Sequence, residues 1–407
     1  MRGRKAEFER KLAQTGLWQL LDLLQTLPDE TARLARLCYA ASPASDWLDT
    51  PPEVFFSCAA HARYLRENVS WTRALPEPLF LAYVLHPRVN NEALCDCRPV
   101  FYAALAERLR GLPEEAAVLE INRWCAEHVV YQPTDERTRS ALAVLRAGFG
   151  RCGEESMFAV NVLRACGFAA RQVYVPRWAH CDDNHAWVEV RCGGAWHFLG
   201  ACEPEAVLDR GWFNSAAGRA VLVHSRCFGE PEPGADLIGR EGDVVYCNET
   251  ARYADVRRLT VRVTDGNGVP AAGADVDFCI LNNCEWYPAA TVQTDASGMA
   301  ALTCGLGSLR LLARRDGLCC EAFVSPEETG PVVLTLGRPV YPTDRWEPIE
   351  LTAPHGGAVR GTVPTEAQRD LQERWLRQAH EAWTQRREAR LDEADAQGLP
   401  PEETALL

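Results

Sequence analysis

Apolar residues along the first 115 positions recur at helical spacing. Phe8, Leu12, Leu17, Leu20, Leu21 and Leu24 fall near one face of a helix that Pro28 ends. Further helical runs are expected around Ala32–Ala41, Pro52–Asn68 and Arg98–Arg110, broken by Ser42-Pro43 and Pro51-Pro52. Glu114–Val130 predicts another amphipathic helix, with Val118, Ile121, Trp124 and Cys125 on one side. Ser140–Phe149 is a short helical or turn-rich run. The stretch Cys152–Cys166 then reads as a helix closed by Gly167, followed by short strands at Ala170–Val175, His185–Arg191 and Ala195–Leu199. Gly193-Gly194 turns between the last two.

Past a Pro/Glu/Gly-rich stretch near 229–240 the period becomes two. Leu259–Thr264, Asp275–Leu281, Met299–Cys304, Ser308–Arg314 and Val332–Leu336 read as strands between turn-forming clusters. Met299–Cys304 and Ser308–Arg314 are expected to pair, and the set fits a β-sandwich. After a Pro-rich stretch, Thr365–Ala394 predicts a charged helix with Leu371, Trp375, Leu376, Ala379 and Trp383 on one face, and the last dozen residues fray. The fold class is α+β. Its expected segments are a helical N-terminal region (1–113), a core (114–228), a connector (229–258), a β-sandwich (259–337), and an irregular segment with a C-terminal helix (338–407).

Composition narrows the function classes. At 407 residues, 47% hydrophobic and 24% charged, the chain is long enough for two or three cores. A formal charge of −13 argues against nucleic acid or an anionic membrane as the main partner. The charged start Met1-Arg2-Gly3-Arg4-Lys5 is not a signal peptide and no apolar run approaches a membrane span, so a cytoplasmic protein is expected. Seventeen cysteines without an export signal read as reduced, mostly buried side chains rather than a disulfide framework. Cys95-Asp96-Cys97 and the Cys279/Cys284 pair lack zinc-site spacing, so neither a metal nor another cofactor is expected. The polar cluster Arg88, Asn90, Asn91 and Glu92 reads as caps and turn chemistry at a helix junction.

One constellation carries chemistry. Cys152 stands in Gly150-Arg151-Cys152-Gly153-Glu154-Glu155-Ser156 at a helix start, where unpaired N–H groups and the helix dipole favour a thiolate. Thirty-three residues later, His185 opens an alternating strand. A thiol at a helix start and an imidazole on a following strand are two parts of a cysteine-nucleophile site. The Cys152 backbone N–H is a candidate oxyanion donor. His180, His197 and Cys202 lie nearby, and a metal set built from His185, His197 and Cys202 is weaker than local hydrogen bonding.

These motifs, with Tyr131-Gln132-Pro133-Thr134-Asp135-Glu136-Arg137-Thr138 upstream and His185-Ala186-Trp187-Val188-Glu189-Val190 at the histidine, make residues from about 115 to 213 resemble the transglutaminase-like superfamily. That resemblance implies a papain-like core in which Cys152 is the nucleophile and His185 the general base, then acid. The family places an aspartate after the aromatic strand that follows the histidine, and here that position is Gly200. Glu203, followed by Pro204, is the nearest carboxylate able to orient His185 if the chain turns at Gly200-Ala201. Asp182 and Asp183 are alternatives. Through Asp265–Ala274 and Thr294–Gly298, the segment 259–337 resembles immunoglobulin-like modules of the carboxypeptidase-regulatory type. The expected activity is thiol acyl transfer on a peptide or glutamine-type amide through a Cys152 thioester. Hydrolysis is favoured over cross-linking, since no acidic calcium-type loop is evident. The alternative is a catalytically idle scaffold binding peptide or glycan. Cleavage of a carbohydrate-linked amide is weaker, for want of an aromatic platform.

Overall fold

Among the described residues, eight α-helices open the chain, with a π-helical turn (Leu81–Leu85) continuing the seventh: α1 (Arg2–Thr15), α2 (Leu20–Gln25), α3 (Asp29–Ala41), α4 (Ala44–Asp49), α5 (Pro52–Asn68), α6 (Ser70–Ala74), α7 (Glu77–Phe80) and α8 (Arg98–Leu105). The computed structural model describes residues 2–135, 137–338, 348–357 and 360–396. The single helical face expected up to Pro28 is divided, because Gly16 takes a φ of +70° that only glycine adopts freely and turns the chain between α1 and α2. Phe8, Leu12, Leu20 and Leu24 still share one core with Tyr39, Trp47, Phe55 and Leu65.

The centre of the fold is α11 (Cys152–Ala165), reached through α9 (Glu114–Ala126), the two-residue strand β1 (Val130–Tyr131), α10 (Ala141–Ala147) and β2 (Phe149–Gly150). Strands β1 and β2 pair in parallel, Val130 with Phe149 and Tyr131 with Gly150. Every α11 residue from Gly153 to Ala165 is buried. Its partners include β4 (His185–Cys192), which with β3 (Ala170–Val175), β5 (Ala195–Leu199), β6 (His224–Phe228), β7 (Leu237–Glu241) and β8 (Val244–Asn248) forms an antiparallel sheet of order β5-β4-β3-β6-β8-β7. Val188 and Val190 pack with α11, while Trp187 on the opposite face joins Phe198, Phe213 and Tyr253. Two short helices, α12 (Asn214–Ala217) and α13 (Thr250–Tyr253), flank this second face.

The expected connector over 229–258 needs correction, since it contributes β7 and β8 to the core sheet. β7 escaped the pattern because it is an edge strand whose sequence, Leu237-Ile238-Gly239-Arg240-Glu241, has no buried face.

Seven strands follow: β9 (Val256–Thr264), β10 (Asp275–Asn282), β11 (Glu285–Gln293), β12 (Met299–Gly305), β13 (Leu309–Arg315), β14 (Leu318–Val324) and β15 (Val332–Thr335). They form sheets of order β11-β10-β13-β14 and β12-β9-β15 around one core that includes Leu259, Val261, Phe278, Leu302 and Leu311. The expected pairing of 299–304 with 308–314 does not occur. β12 pairs with β9, and the chain crosses at Leu306–Ser308 to place β13 in the other sheet. β11 was hidden by Pro288, which sits at a register shift opposite Cys279, on an outer strand where its missing N–H removes no ladder bond from the sheet interior.

The sandwich is docked against the core, not merely tethered. Gly305 N–H donates to Val221 O (2.8 Å) and Asn248 Nδ2 to Thr303 O (2.7 Å). The buried Asn282 side chain donates to Trp178 O (2.9 Å) and Cys181 O (2.8 Å), holding the loop that precedes His185. Helix α14 (Glu366–Ala396) lies along α9, with Trp383 Nε1 donating to Gly148 O (2.7 Å). Ala379 is buried, as its face predicts, whereas Leu376 is largely exposed. The fraying expected of the last dozen residues lies almost wholly outside the described residues.

A Cβ at Gly305 would stand 2.0 Å from Ala220 O, in backbone that cannot swing aside. Gly305→Ala is therefore expected to destabilise the protein by about 1–3 kcal/mol, the usual cost of overpacking. Thermal unfolding checks this; an unchanged midpoint would show that the interface yields freely.

Candidate functional site

The region around Cys152 is built on Glu154. At the third position of α11, its carboxylate accepts from Arg151 N–H (3.3 Å), the reach-back bond of a capping box. It also accepts from Thr134 Oγ1 (2.8 Å), Arg139 Nε (2.8 Å) and Arg139 N–H (3.1 Å). Burial disfavours its charge, but Arg139 and Thr134 outweigh that and hold the carboxyl below its usual range. One buried carboxylate thus ties Thr134 and Arg139 to the start of α11. Gly150 allows this approach, since a Cβ there would lie 2.9 Å from the Glu154 Cβ.

Cys152 is the first residue of α11, half-buried, with its sulfur towards the N–H of Ala186. That contact brings the thiol to the end of β4 that carries His185. Burial pushes the thiol up, against the Ala186 and Gly153 N–H groups that favour thiolate. His185 is the first residue of β4 and is buried. Burial lowers its pKa to about 4, with Asp183 opposing, and its Nε2 is buried without a hydrogen-bond partner. The helix dipole alone predicts a thiolate; here burial outweighs it, and at neutral pH both groups rest uncharged.

Glu203 lies where the sequence requires a turn. Asn122 of α9, itself buried, donates from Nδ2 to Gly200 O (2.9 Å) and Glu203 O (2.8 Å), and its Oδ1 accepts from Cys202 N–H (3.0 Å). Cys202 takes a left-handed φ of +58° in this turn. The chain folds back so far that Glu203 Oε2 stands 2.1 Å from where a Cβ of residue 200 would be. The glutamate carboxylate occupies the space that a side chain at position 200 would enter. Its Oε1 accepts from Trp212 Nε1 (2.9 Å), and the Trp212 ring lies 4.8 Å from the His185 ring. One indole therefore touches both groups. Burial raises the Glu203 carboxyl to about 7, with the Trp212 N–H opposing.

The other candidates are occupied elsewhere. Asp182 accepts from Asn283 N–H of the sandwich (2.7 Å), and Asp183 from Asn184 N–H (2.7 Å). His197 Nδ1 meets Asp209 Oδ2 at 2.7 Å, and Cys202 is buried in the core beneath α11. Arg88, Asn90 and Glu92 do form the expected turn network, in which Glu92 accepts from the N–H groups of Val89 and Asn90 (both 2.7 Å). Asn90 continues it to Gln172 (2.6 Å), which donates to Gly153 O (2.9 Å) behind Cys152. Sequence reasoning missed Trp212, Phe213 and Glu155. Trp212 is exposed despite its size, a departure visible only in the fold. Glu155 is buried one turn beyond Cys152, its carboxyl pushed well up by burial, then by Glu203 and Glu154.

Replacing Asn122 by alanine leaves buried carbonyls of the Gly200–Glu203 turn without a donor, at about 1–3 kcal/mol per group. Asn122→Ala is expected to lower the thermal midpoint and to slow Cys152 alkylation as the turn relaxes. A fall in stability with Cys152 reactivity intact would separate the turn from the site.

Residues 103–201 match the family model of the transglutaminase-like superfamily. No protein of curated function matches the chain. Among solved structures, the chain is similar to a proposed cysteine protease of Cytophaga hutchinsonii at 18% identity and a TM-score of 0.27, over 34% of this chain and 48% of that one. It is similar to a proposed protease of Parabacteroides distasonis at 14% identity and a TM-score of 0.25, covering 42% of this chain and 29% of the other. For red sea bream transglutaminase the values are 11%, 0.23, 59% and 57%. The chain thus spans about half or less of the first two. Residues 103–201, which hold Cys152, His185 and the strand that leads to Gly200, are a transglutaminase-like domain.

Proposed function

We propose that the protein is a thiol acyl-transfer enzyme in which Cys152 attacks a peptide or glutamine-type amide, His185 moves the proton, and Glu203 orients His185. The observation that carries this reading is the carboxylate of Glu203 standing in the side-chain space beside Gly200. In the reaction the Cys152 proton passes to His185, the sulfur bonds to the amide carbon, and the amine or ammonia leaves with that proton. Water then resolves the thioester. The Cys152 N–H at the helix start supplies an oxyanion donor. An open cleft of about 930 Å³ whose lining includes Asp46, Arg88, Asn90, Arg137, Thr138 and Arg226 reaches Arg151 through Thr138, whose Oγ1 accepts from Arg151 Nη2 (2.9 Å). Its mixed charge suits a polar peptide. Hydrolysis is favoured over cross-linking. The sandwich, read as an immunoglobulin-like module, fixes the loop ahead of His185 through Asn282.

One observation favours the idle-scaffold reading: thiol and imidazole are both held uncharged by burial, and His185 Nε2 has no partner. The pH dependence of Cys152 alkylation by iodoacetamide, mapped by peptide, separates the two. An orienting carboxylate must be ionised, so the rate is expected to rise as pH climbs through about 7, where Glu203 titrates. Glu203→Gln should remove the inflection near 7, leaving only the steady climb from thiol ionisation, and slow the reaction by about 10–100-fold, the usual cost of losing a histidine's orienting partner. Gly200→Asp in a Glu203→Ala background should recover part of it. An unaltered rate and profile in Glu203→Gln would exclude Glu203 and leave a Cys–His dyad or an inactive relative.

A further inference from the structure

The sequence pair Cys95-Asp96-Cys97 is too close for a zinc finger, and the proposed reaction does not use it. Cys97 N–H donates to Cys95 O at 3.0 Å, which closes a three-residue γ-turn across Asp96. Such a turn brings the flanking residues within the Cα separation that disulfides span, about 4.4–6.8 Å. The two thiols lie close enough to shift each other, Cys95 down and Cys97 up. The Cys95 sulfur also accepts from the N–H groups of Leu142 and Ala141 and from the Ser140 hydroxyl. These contacts bring the Cys95 thiol down to about 6, whereas burial pushes Cys152 up. Cys95 is half-buried and Cys97 fully buried, with the Cys97 sulfur 3.6 Å from Asn161 Oδ1 on α11.

We infer that Cys95 and Cys97 form a peroxide-responsive dithiol that closes to a disulfide across Asp96, a modification site separate from Cys152. The Cys95 thiolate attacks one peroxide oxygen, breaking the O–O bond and leaving a sulfenic acid and hydroxide. The Cys97 sulfur then attacks the Cys95 sulfur. The S–S bond forms, and the sulfenic oxygen departs as water with the Cys97 proton. Two electrons pass from the thiols to the peroxide, and a dithiol reductant reverses the step. Closure takes the Cys97 S–H from Asn161, so the modification reaches the helix that carries the nucleophile.

The test treats the reduced full-length protein with hydrogen peroxide. The quenched sample is unfolded in N-ethylmaleimide and digested with trypsin. Arg98 precedes Pro99, so residues 89–108 emerge as one peptide whose only cysteines are this pair. The expected result is that this peptide loses both alkylation sites together and becomes lighter by two hydrogens. This should happen before half of Cys152 is oxidised, and dithiothreitol should reverse it. Cys97→Ser should leave a Cys95 sulfenic acid that dimedone captures, and Cys95→Ser should leave Cys97 reduced. If Cys97→Ser does not fold, the wild-type protein and Cys95→Ser still decide. Both thiols still alkylatable after Cys152 has oxidised would overturn the proposal. So would oxidation of Cys95 beyond sulfenic acid with no disulfide formed.

Discussion

Helix α11 is buried along its whole length after Cys152, so its N-terminus is where its free backbone donors can meet a reactant. A buried helix end needs partners from outside the helix, and here Glu154 supplies them by gathering Thr134, Arg139 and the Arg151 N–H. The loop upstream of Cys152 and the strand carrying His185 take their places against this fixed end. Arg139 further ties the arrangement to Phe149 O (2.8 Å), next to Gly150. The sandwich adds a second constraint from the far side, since Asn282 holds the carbonyls of Trp178 and Cys181 ahead of β4.

Burial sets the electrostatics as firmly as it sets the geometry. The folded His185 binds a proton less readily than in the unfolded chain, about 4 against 6.5, so it favours folding more as pH rises between those values. Glu203 behaves oppositely. Its carboxyl is raised from 4.5 to about 7, so it contributes stability below 4.5 that is lost as pH climbs towards 7. The two slopes oppose each other over much of one window, so together they leave folding stability with little net pH dependence from this pair. Both groups prefer to be neutral in the resting fold, and the Trp212 indole touches each of them.

Much of this was legible in the sequence, for identifiable reasons. The long helices declared themselves through period and caps; α5 runs from Pro52 to Asn68 as its flanking prolines and apolar spacing require. The thiol, the imidazole and their strand followed from local motifs. Strands β7 and β11 did not, because an edge strand with no buried face and a strand broken by Pro288 at a register shift lack a clean alternation. The sheet to which β12 and β13 belong is a long-range choice that no local pattern encodes. Glu203 could be named from the missing aspartate at Gly200, but the Asn122 clamp that turns it back lies 81 residues away. The resting charge state was misread from the dipole, since burial depends on residues distant in sequence.

The central claim is that Cys152 forms the thioester with help from His185. Trapping that intermediate tests it most directly. The protein is mixed with an activated acyl donor, quenched in acid, and mapped by mass spectrometry. The account predicts a hydroxylamine-labile acyl group on Cys152 that forms and turns over quickly in the intact protein. In His185→Gln it should form slowly and persist. An acyl group confined to other cysteines, or Cys152 acylated and released at the same rate without His185, would contradict it.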